Sequence, residues 1–250
     1  MKIVACIKRV PTTDAQAKIN ADGKSLDSAG FQYMTSFYDE IAVEQAIQTK
    51  EASGGDVTVL TIGPSEASKE VRECIAKGAD AGIIMTDADW TGRDNLATAK
   101  VLAAKLSEMG AEIAFFGKVA TDRDNSAVGP MTATKLGWAC VTDVVELSIA
   151  DGKGTAKRES ENGVETLSFS LPAIITCDKG LNEPRYAGLK DIMAAKKKPL
   201  EEVSFEDVPN QAQVDSLELP AARKEGRIVG EGAAAVPALI DALRNEAKVL

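Results

Sequence analysis

Short apolar runs alternate with amphipathic segments through the first half of the chain, and this alternation restricts the possible folds more than any other feature. The runs KIVACIK, DVTVLTI, AGIIM and EIAFF have the length and composition of buried strands. The segments DEIAVEQAIQTKEAS, SEASKEVRECIAKG and NLATAKVLAAKLSEMG have helical periodicity, and Gly110 stands where the last would be capped. Because right-handed crossovers join such units, the sequence predicts an α/β fold with a doubly wound, mostly parallel sheet.

The second half of the chain departs from this alternation. DVVELSIADG, TAKRES and ETLSFSLPAIITC predict the strands of a C-terminal β-meander. From Pro199 to Pro220 the chain is polar and marked by prolines, which is typical of a wrapping arm or linker. A final helix is predicted from about Ala233 to Val249. We therefore divide the chain into an α/β domain over residues 1–198, which includes the meander, and an arm with its helix over residues 199–250.

Charge and the absence of histidine exclude several classes of function. The chain has 29 Lys and Arg against 38 Asp and Glu, and this net charge of −9 disfavours general binding to nucleic acid. Without histidine, neither a Ser-His-Asp triad nor a Cys-His pair nor a histidine-based metal site can form. We therefore predict a binding protein with no catalytic residue and no metal site.

The start of the chain and its apolar runs bear on where the protein acts. No apolar run is long enough to cross a bilayer. The strand pattern begins at Lys2, which leaves no room for a signal or transit peptide. The sequence therefore predicts a cytoplasmic protein that does not insert into a membrane.

The four cysteines are scattered and form no CxxC pair. Cys6, Cys140 and Cys177 stand in apolar or strand-like contexts, whereas Cys74 stands in a helical segment. We therefore predict that the first three are buried, reduced thiols rather than redox groups.

Three strand ends are candidates for a ligand site, because ligands of open α/β sheets bind at the carboxyl ends of the strands. After the first strand, about thirty residues precede a helix that begins near Asp39, which is much longer than a bare connection requires. After the second strand comes TIGPSEAS, a turn that leads into a helix. After the fourth comes FFGKVATDRDNSAVGP, from Phe115 to Pro130.

The segment that follows the fourth strand has the most features of a phosphate site. Gly117 lets a ligand approach the backbone closely, and Asn125 and Ser126 stand at N-cap positions of a helix predicted from about 127 to 136. The free N–H groups of such a helix suit a phosphate.

Acidic residues in the same segment leave a second interpretation open. Asp122 and Asp124 would repel a phosphate, so they are expected to cap the helix or to bind ribose hydroxyls. A plain strand–loop–helix connection with acidic caps explains the pattern equally well. Neither GxGxxG after a strand nor GxxxxGK[ST] is present, which disfavours a standard Rossmann dehydrogenase or a P-loop enzyme.

Several motifs together resemble the beta (small) subunit of electron transfer flavoproteins, along nearly the whole chain. They are VACIKRVP, FYDEIAVEQA, TIGP, AKGAD, GKVATDRDNSAVGP and LNEPRYAGLKDIMAAKKK. The most specific match is AKRESENGVETLSFSLPAIIT, which departs from the family's signature at Asn162 and agrees with it at Ala156, Arg158, Glu161, Gly163, Glu165, Leu167, Pro172 and Thr176.

The resemblance implies a heterodimer in which a larger alpha subunit holds most of the redox-active FAD. The beta subunit of this family usually carries a buried AMP within an adenine-nucleotide-binding α/β fold. Ser36 and Phe37 stand where the family commonly has Asn-Pro, so only backbone contacts are expected to be retained there. The cofactor-binding positions that match in this chain are Cys6, Ser36, Phe37, Tyr38, Asp39, Ile62, Gly117, Lys118, Val119, Ala120, Thr121, Asp122, Arg123, Asp124, Asn125, Ser126, Ala127 and Val128.

The segment LNEPRYAGLKDIMAAKKKP resembles the recognition loop of the family. The resemblance implies that Leu189 anchors in flavin dehydrogenases such as acyl-CoA dehydrogenases, and that the electrons pass on to a membrane quinone oxidoreductase. Tyr186 is expected to brace the loop, and Lys196, Lys197 and Lys198 are expected to steer the approach of an acidic partner. The alternative is a solvated helix end whose cations complement the helix dipole.

Two other functions remain open at this point. A second branch of the family bifurcates electrons from NADH and holds a second FAD in place of AMP. The motif AVGP resembles that branch, whereas LNEPRYA resembles the ordinary carriers, and we favour the carrier with AMP. The third possibility is a free-standing nucleotide-binding protein.

Overall fold

The computed structural model describes residues 1–222 and 225–250, which form two compact units. The first unit comprises Met1–Lys18 and Leu26–Asp215, and the second comprises Ile19–Ser25 and Ser216–Leu250. The sheet and the helices that cover it all belong to the first unit.

The first unit contains eleven strands and five α-helices. In chain order they are β1 (Lys2–Cys6), β2 (Arg9–Pro11), β3 (Tyr33–Thr35), α1 (Phe37–Ser53), β4 (Asp56–Gly63), α2 (Ser68–Lys77), β5 (Ala81–Thr86), α3 (Asn95–Met109), β6 (Ile113–Gly117), α4 (Val128–Leu136), β7 (Ala139–Ala150), β8 (Lys153–Ser160), β9 (Gly163–Ser170), β10 (Ala173–Cys177), α5 (Leu189–Ala195) and β11 (Leu200–Val203).

Nine strands form one sheet in the order β11-β5-β4-β1-β6-β10-β7-β8-β9. Every pairing from β11 to β7 is parallel, and only β7–β8 and β8–β9 are antiparallel. The predicted doubly wound, mostly parallel α/β fold is therefore confirmed.

Side chains alternate between two cores on opposite faces of this sheet. Within β1, Ile3 and Ala5 pack in a core with α1 and α2. Val4 and Cys6 pack in a second core with α3 and α4. Since successive side chains of a strand point to opposite faces, an apolar run such as IVAC is what a strand covered on both faces requires.

The third helix begins and ends where the sequence predicts. Asp94 caps α3, since its carboxylate accepts the N–H of Ala97 at 2.6 Å. Gly110 ends the same helix in the left-handed conformation, with φ of 61°.

The meander is confirmed for β7, β8 and β9, but one part of that prediction is wrong. ETLSFSLPAIITC does not form one strand, because β9 ends at Ser170 and β10 begins at Ala173. β10 then returns across the sheet and lies between β6 and β7, parallel to both. Its five residues are all buried, which is typical of a central strand covered on both faces rather than of the last strand of a meander.

The polar segment after Pro199 contains a strand that the sequence analysis assigns to the arm. β11 pairs with β5 and forms one edge of the sheet, and Phe205 and Val208 beyond it pack against the second core. The run LEEV has two adjacent charged residues between two apolar ones, so it lacks the alternation that predicts a strand, and it is too short to be distinguished from a loop by periodicity.

The cysteine prediction holds for two of three residues. Cys6 and Cys177 are buried, whereas Cys140 is exposed and Cys74, on the inner face of α2, is buried instead. Burial raises the pKa of the Cys6 and Cys177 thiols well above the ordinary value. Cys140 lies near the start of β7, where its side chain points away from the core.

The second unit contains the C-terminal helical segment. A 3-10 turn (Ala233–Ala235), α6 (Val236–Asp241) and a π-helical segment (Ala242–Ala247) follow one another there. Arg227 donates to both carboxylate oxygens of Glu246 at 2.6 Å within this unit. Across residues 1–222 and 225–250, no helix combines the length and the apolar character needed to span a membrane.

Candidate functional site

A cleft opens at the carboxyl ends of β1, β4 and β6, in the centre of the sheet. It encloses roughly 900 Å³ of empty space, part of it open to solvent. The chain runs from β1 to β4 and β5 on one side, and then returns to β6 on the other side of β1. Ligands of open α/β sheets bind at such a reversal of strand order, because the loops diverge there.

Most of the predicted cofactor-binding residues line this one cleft, although they come from three separate parts of the sequence. Contact with a ligand remains a prediction for each of them. Those that line the cleft are Cys6, Asp39, Ile62, Gly117, Lys118, Val119, Ala120, Arg123, Asn125, Ser126, Ala127 and Val128.

The other predicted residues lie around the cleft rather than in its wall. The Ser36 hydroxyl accepts the N–H of Thr121 at 3.3 Å, so it supports the loop after β6 from below. The rings of Phe37 and Tyr38 pack edge to face, with 5.3 Å between the ring centroids. Asp122 and Asp124 are exposed in the loop after β6 and are absent from the cleft lining.

One whole wall of the cleft was not predicted, and it is formed by the connection from β5 to α3 and the start of α3. This connection also follows the carboxyl end of a parallel strand, so the same topological rule would have found it. The residues that line the cleft without having been predicted are Ile7, Lys8, Trp90, Arg93, Asn95, Thr98, Leu102, Phe116 and Gly129.

Asp39, in the first turn of α1, is the buried acidic group of the cleft. Its carboxylate accepts the N–H of Lys8 at 2.7 Å and the N–H of Gly117 at 2.9 Å. Burial raises the pKa of Asp39 to about 7, although these two hydrogen bonds act to lower it. The side chain therefore ties the ends of β1 and β6 to the start of α1 and changes its charge near neutral pH.

Gly117 is required by the close approach of α1. A Cβ at this position would lie 2.5 Å from Oδ1 of Asp39 and 2.7 Å from the backbone carbonyl carbon of Tyr38. The glycine thus allows the start of α1 to pack against the end of β6. The close approach to the backbone at Gly117, expected from a ligand, is made by α1.

The loop from β6 to α4 has an unusual backbone. Asp124 and Ser126 both take the left-handed conformation, with φ of 56° and 49°. The N-cap of α4 is Ala127, without a side-chain cap, so the prediction that Asn125 or Ser126 caps the helix is wrong. Left-handed residues ahead of a helix turn successive N–H groups toward one side, which is how backbone amides bind anions.

Three of the cations along the cleft are neutralised by carboxylates. Lys8 pairs with Asp122 at 2.6 Å, and Arg93 pairs with Asp87 at 2.6 Å. Lys118 lies between two carboxylates, those of Asp143 and Asp178, at 3.2 and 2.9 Å.

Arg123 differs from these cations. Its guanidinium donates only to the backbone carbonyl oxygens of Thr91 and Arg93. Within residues 1–222 and 225–250, it is the cleft-lining cation without a carboxylate partner. An anionic ligand therefore meets one uncompensated positive charge in the cleft.

Comparison with known proteins identifies the family. The family model described as "Electron transfer flavoprotein domain" matches residues 32–208. The chain is 34% identical over its whole length to the electron transfer flavoprotein subunit beta of Bacillus subtilis, and 37% identical over its whole length to that of Bradyrhizobium diazoefficiens; both of those proteins are also covered completely. A third full-length relative, 35% identical, is the mitochondrial electron transfer flavoprotein subunit beta of Oryza sativa subsp. indica. The chain belongs to the electron transfer flavoprotein beta-subunit family.

Electron transfer flavoproteins are electron-transfer proteins, so surfaces other than the cleft also bear on function. The segment from Leu181 to Pro199 begins as an extended loop, and α5 starts at Leu189. Tyr186 is 98% exposed and Leu189 is 79% exposed, at the tip and at the first helical residue. Two further apolar side chains of α5, Ile192 and Met193, are exposed beside them. The expectation that Tyr186 braces the loop is wrong, because its side chain projects into solvent.

The base of this segment is tightly held although its tip is exposed. Arg185 donates to Glu44 and to Glu51, both on α1. Asn182 donates to the carbonyl oxygen of Ile41 at 3.1 Å. The segment from Leu181 to Pro199 is therefore a rigid projection rather than a loose loop.

The three lysines at the end of the segment are not equivalent. Lys196 and Lys197 are exposed, whereas the Lys198 ammonium group donates to the carbonyl oxygen of Ala79 at 2.7 Å. Arg72 donates to the carbonyl oxygen of Ala195 at 2.6 Å and thereby closes the end of α5. Of these three lysines, only Lys196 and Lys197 are directed to solvent.

Proposed function

We propose that the chain is the small subunit of a heterodimeric electron transfer flavoprotein. In this proposal it binds a structural AMP, helps to house the FAD that an alpha subunit mainly carries, and docks flavin dehydrogenases such as acyl-CoA dehydrogenases. The electrons then pass toward a quinone oxidoreductase. FAD supplies the redox chemistry when it is bound, and the residues of this chain bind, orient and support.

One observation carries the nucleotide assignment, namely the uncompensated guanidinium of Arg123 beside the start of α4 in the central cleft. The N–H groups at the start of a helix and a guanidinium are the groups that proteins use to hold phosphate. The nine-residue helix α4 and the left-handed Ser126 ahead of it supply such N–H groups on one wall. The residues present therefore fit a nucleotide phosphate.

Apolar side chains on the remaining walls suit the base of the nucleotide. Ile62 and Leu102 line the cleft on the side of β4 and α3, and Phe116 and Trp90 add aromatic surface. Clefts that bind cofactors combine such apolar lining with a few polar groups that fix orientation.

The exposed apolar tip of the 181–199 segment supports the docking proposal. An apolar side chain on a rigid projection loses little conformational entropy when it docks, so it can anchor an otherwise polar interface. Leu189 is the proposed anchor, and Tyr186 contributes beside it. Lys196 and Lys197 would steer approach to an acidic partner, mainly through the association rate.

The proposal is tested by co-expressing the chain with an electron transfer flavoprotein alpha subunit. We expect the two chains to co-purify in equal amounts, and we expect the bound flavin to be reduced by an acyl-CoA dehydrogenase and its substrate. A chain that stays a well-behaved monomer and ignores the alpha subunit would contradict the heterodimer. A stable heterodimer that no flavin dehydrogenase reduces would contradict the docking role alone.

A further inference from the structure

Three side-chain hydrogen bonds join two connections that line opposite sides of the cleft. Arg123 donates to the carbonyl oxygen of Arg93 at 3.3 Å and to that of Thr91. Asn125 donates to the side-chain oxygen of Asn95 at 3.3 Å. The first partner of each pair lies in the connection from β6 to α4, and the second lies in the connection from β5 to α3 or at the start of that helix.

The β5–α3 side of this bridge is held firmly from outside the cleft. Arg93 donates to Asp87 at 2.6 Å and to the carbonyl oxygen of Val208 at 3.0 Å. The Asp94 carboxylate accepts the N–H groups of Ala97 and Ala212. Because this rim is anchored to the body of the fold, a bond from Arg123 or Asn125 to it holds the β6–α4 connection in place across the cleft.

The bridge lies beside the proposed phosphate site. Arg123, Asn125, Arg93 and Asn95 all line the cleft together with the start of α4. A ligand that ends at its first phosphate needs no room beyond these bonds. A ligand that continues past that phosphate must pass between the two rims and break the bonds.

We propose that Arg123 and Asn125 set the length of the nucleotide that the cleft accepts, by bridging its rims so that a nucleoside monophosphate fits and a longer nucleotide is excluded. This inference rests on the proposed function, since it assumes that the cleft binds an adenine nucleotide. It assigns the choice between AMP and a dinucleotide to residues of this chain rather than to the supply of ligand.

The test uses the purified heterodimer and three probes, AMP, ADP and ADP-ribose. ADP adds one phosphate to AMP, and ADP-ribose adds a second phosphate and a ribose, as in a dinucleotide that lacks its second base. Neither probe contains a flavin, so neither is confused with the FAD of the complex. Binding is measured as displacement of isotopically labelled AMP, and melting temperature reports whether each variant is folded. The informative variant is Arg123→Lys combined with Asn125→Ala, because it keeps the positive charge but loses the planar fork and the amide bridge.

In the wild type we expect ADP-ribose to bind at least about a hundredfold more weakly than AMP. In the double variant we expect the ratio of the dissociation constant of ADP-ribose to that of AMP to fall by roughly tenfold or more, which corresponds to ~1.4 kcal/mol. Lys135→Ala is the matched control, since it removes a positive charge at the exposed end of α4 and outside the cleft, and its ratio should equal that of the wild type.

Two results would overturn the inference while leaving the proposed function intact. The first is a wild type that holds AMP but accepts ADP-ribose equally well. The second is a folded double variant whose ratio equals that of the wild type, which would make the three bonds ordinary contacts between loops. A wild-type heterodimer that binds none of the probes would instead refute the AMP assignment itself, and the inference with it.

Discussion

Arg185 donates two side-chain hydrogen bonds to Glu44 of α1, at 2.8 and 2.9 Å, and so fixes the exposed segment from Leu181 to Pro199 to the helix whose first turn borders the cleft. The Glu44 side chain is only 4% exposed. Burial alone would raise the pKa of Glu44, but hydrogen bonds from Arg185 and Gln48 lower it below the ordinary value. The pair is therefore a fixed point from which Tyr186 and Leu189 project.

Replacement of Arg185 should weaken both the fold and the docking. Arg185→Ala leaves the buried Glu44 carboxylate without its partner, and we expect a loss of about 1–3 kcal/mol in the free energy of unfolding. Arg185→Lys should recover only part of this, because an ammonium group cannot form the paired bonds of a guanidinium. The control is Lys157→Ala, which removes an exposed pair with Glu146 on β7 and should change stability by less than about 0.5 kcal/mol. Equal stability of all three variants in urea denaturation would show that Arg185 is not a structural brace.

Leu189→Ala tests the docking anchor. An exposed apolar tip contributes little to the core, so melting temperature, flavin content and chemical reduction by dithionite should stay near wild type. Electron transfer from an acyl-CoA dehydrogenase at limiting carrier should slow by roughly thirtyfold, the effect of losing about 2 kcal/mol at an interface hot spot. Val164→Ala, another exposed apolar side chain on the opposite edge strand β9, serves as the control and should transfer at the wild-type rate. A Leu189→Ala variant as fast as the control would remove the docking role.

Asp39 should make stability depend on pH in the weakly acidic range. Since its pKa is raised to about 7, the folded state holds this proton more tightly than the unfolded chain, whose carboxyl has the ordinary value of 3.8. The stability that Asp39 contributes is therefore complete below about pH 4 and is lost as the pH rises to about 7. The free energy of unfolding should fall by on the order of a few kcal/mol over this range. Asp39→Asn cannot titrate, so the unfolding free energy of the wild type should fall relative to that of the variant as the pH rises over that range. Denaturation curves that stay parallel between pH 4 and 8 would contradict the buried, protonatable carboxyl.

Gly117→Ala should disturb the cleft from its centre. The new Cβ meets Asp39 and the backbone of Tyr38 below 3 Å, so the start of α1 must move. We expect a loss of about 1–3 kcal/mol in stability, as for other overpacked positions, together with weaker nucleotide binding. At Gly63, at the end of β4, a Cβ would meet only Ala67 at 3.6 Å, so Gly63→Ala should be tolerated. If both variants bind AMP and unfold alike, the contact between Gly117 and α1 is not important for the cleft.

The sequence predicted the parts of this structure in which local pattern and tertiary environment agree. The strands β1, β4, β5 and β6 are short and apolar because both faces of the sheet are covered, and that composition is visible in the chain itself. The place of β10 between β6 and β7 could not be predicted, because pairing partners far apart in the chain leave no local signal.

The same distinction applies to the cleft. Gly117 and the loop after it carry residue types that suggest an anion site, and they lie where expected. Arg93 and Trp90 lie in the connection after β5, which contains Gly92 but no glycine-rich motif. Its place at the carboxyl end of a parallel strand is the one signal that could have found it. Among the residues that the structure describes, Lys8 and Lys118 have carboxylate partners and Arg123 has none. This difference is a property of side-chain geometry, which no spacing rule contains.

The nucleotide content of the purified heterodimer tests the central claim most directly. A nucleotide at a hundred times its dissociation constant stabilises the folded state by ~2.7 kcal/mol, so its removal should lower the melting temperature while the flavin can still be reduced. Released by denaturation and separated chromatographically, the ligands should be one FAD and one AMP for each heterodimer. Two FAD and no AMP for each heterodimer would contradict the carrier with a structural AMP and would establish the electron-bifurcating alternative in its place.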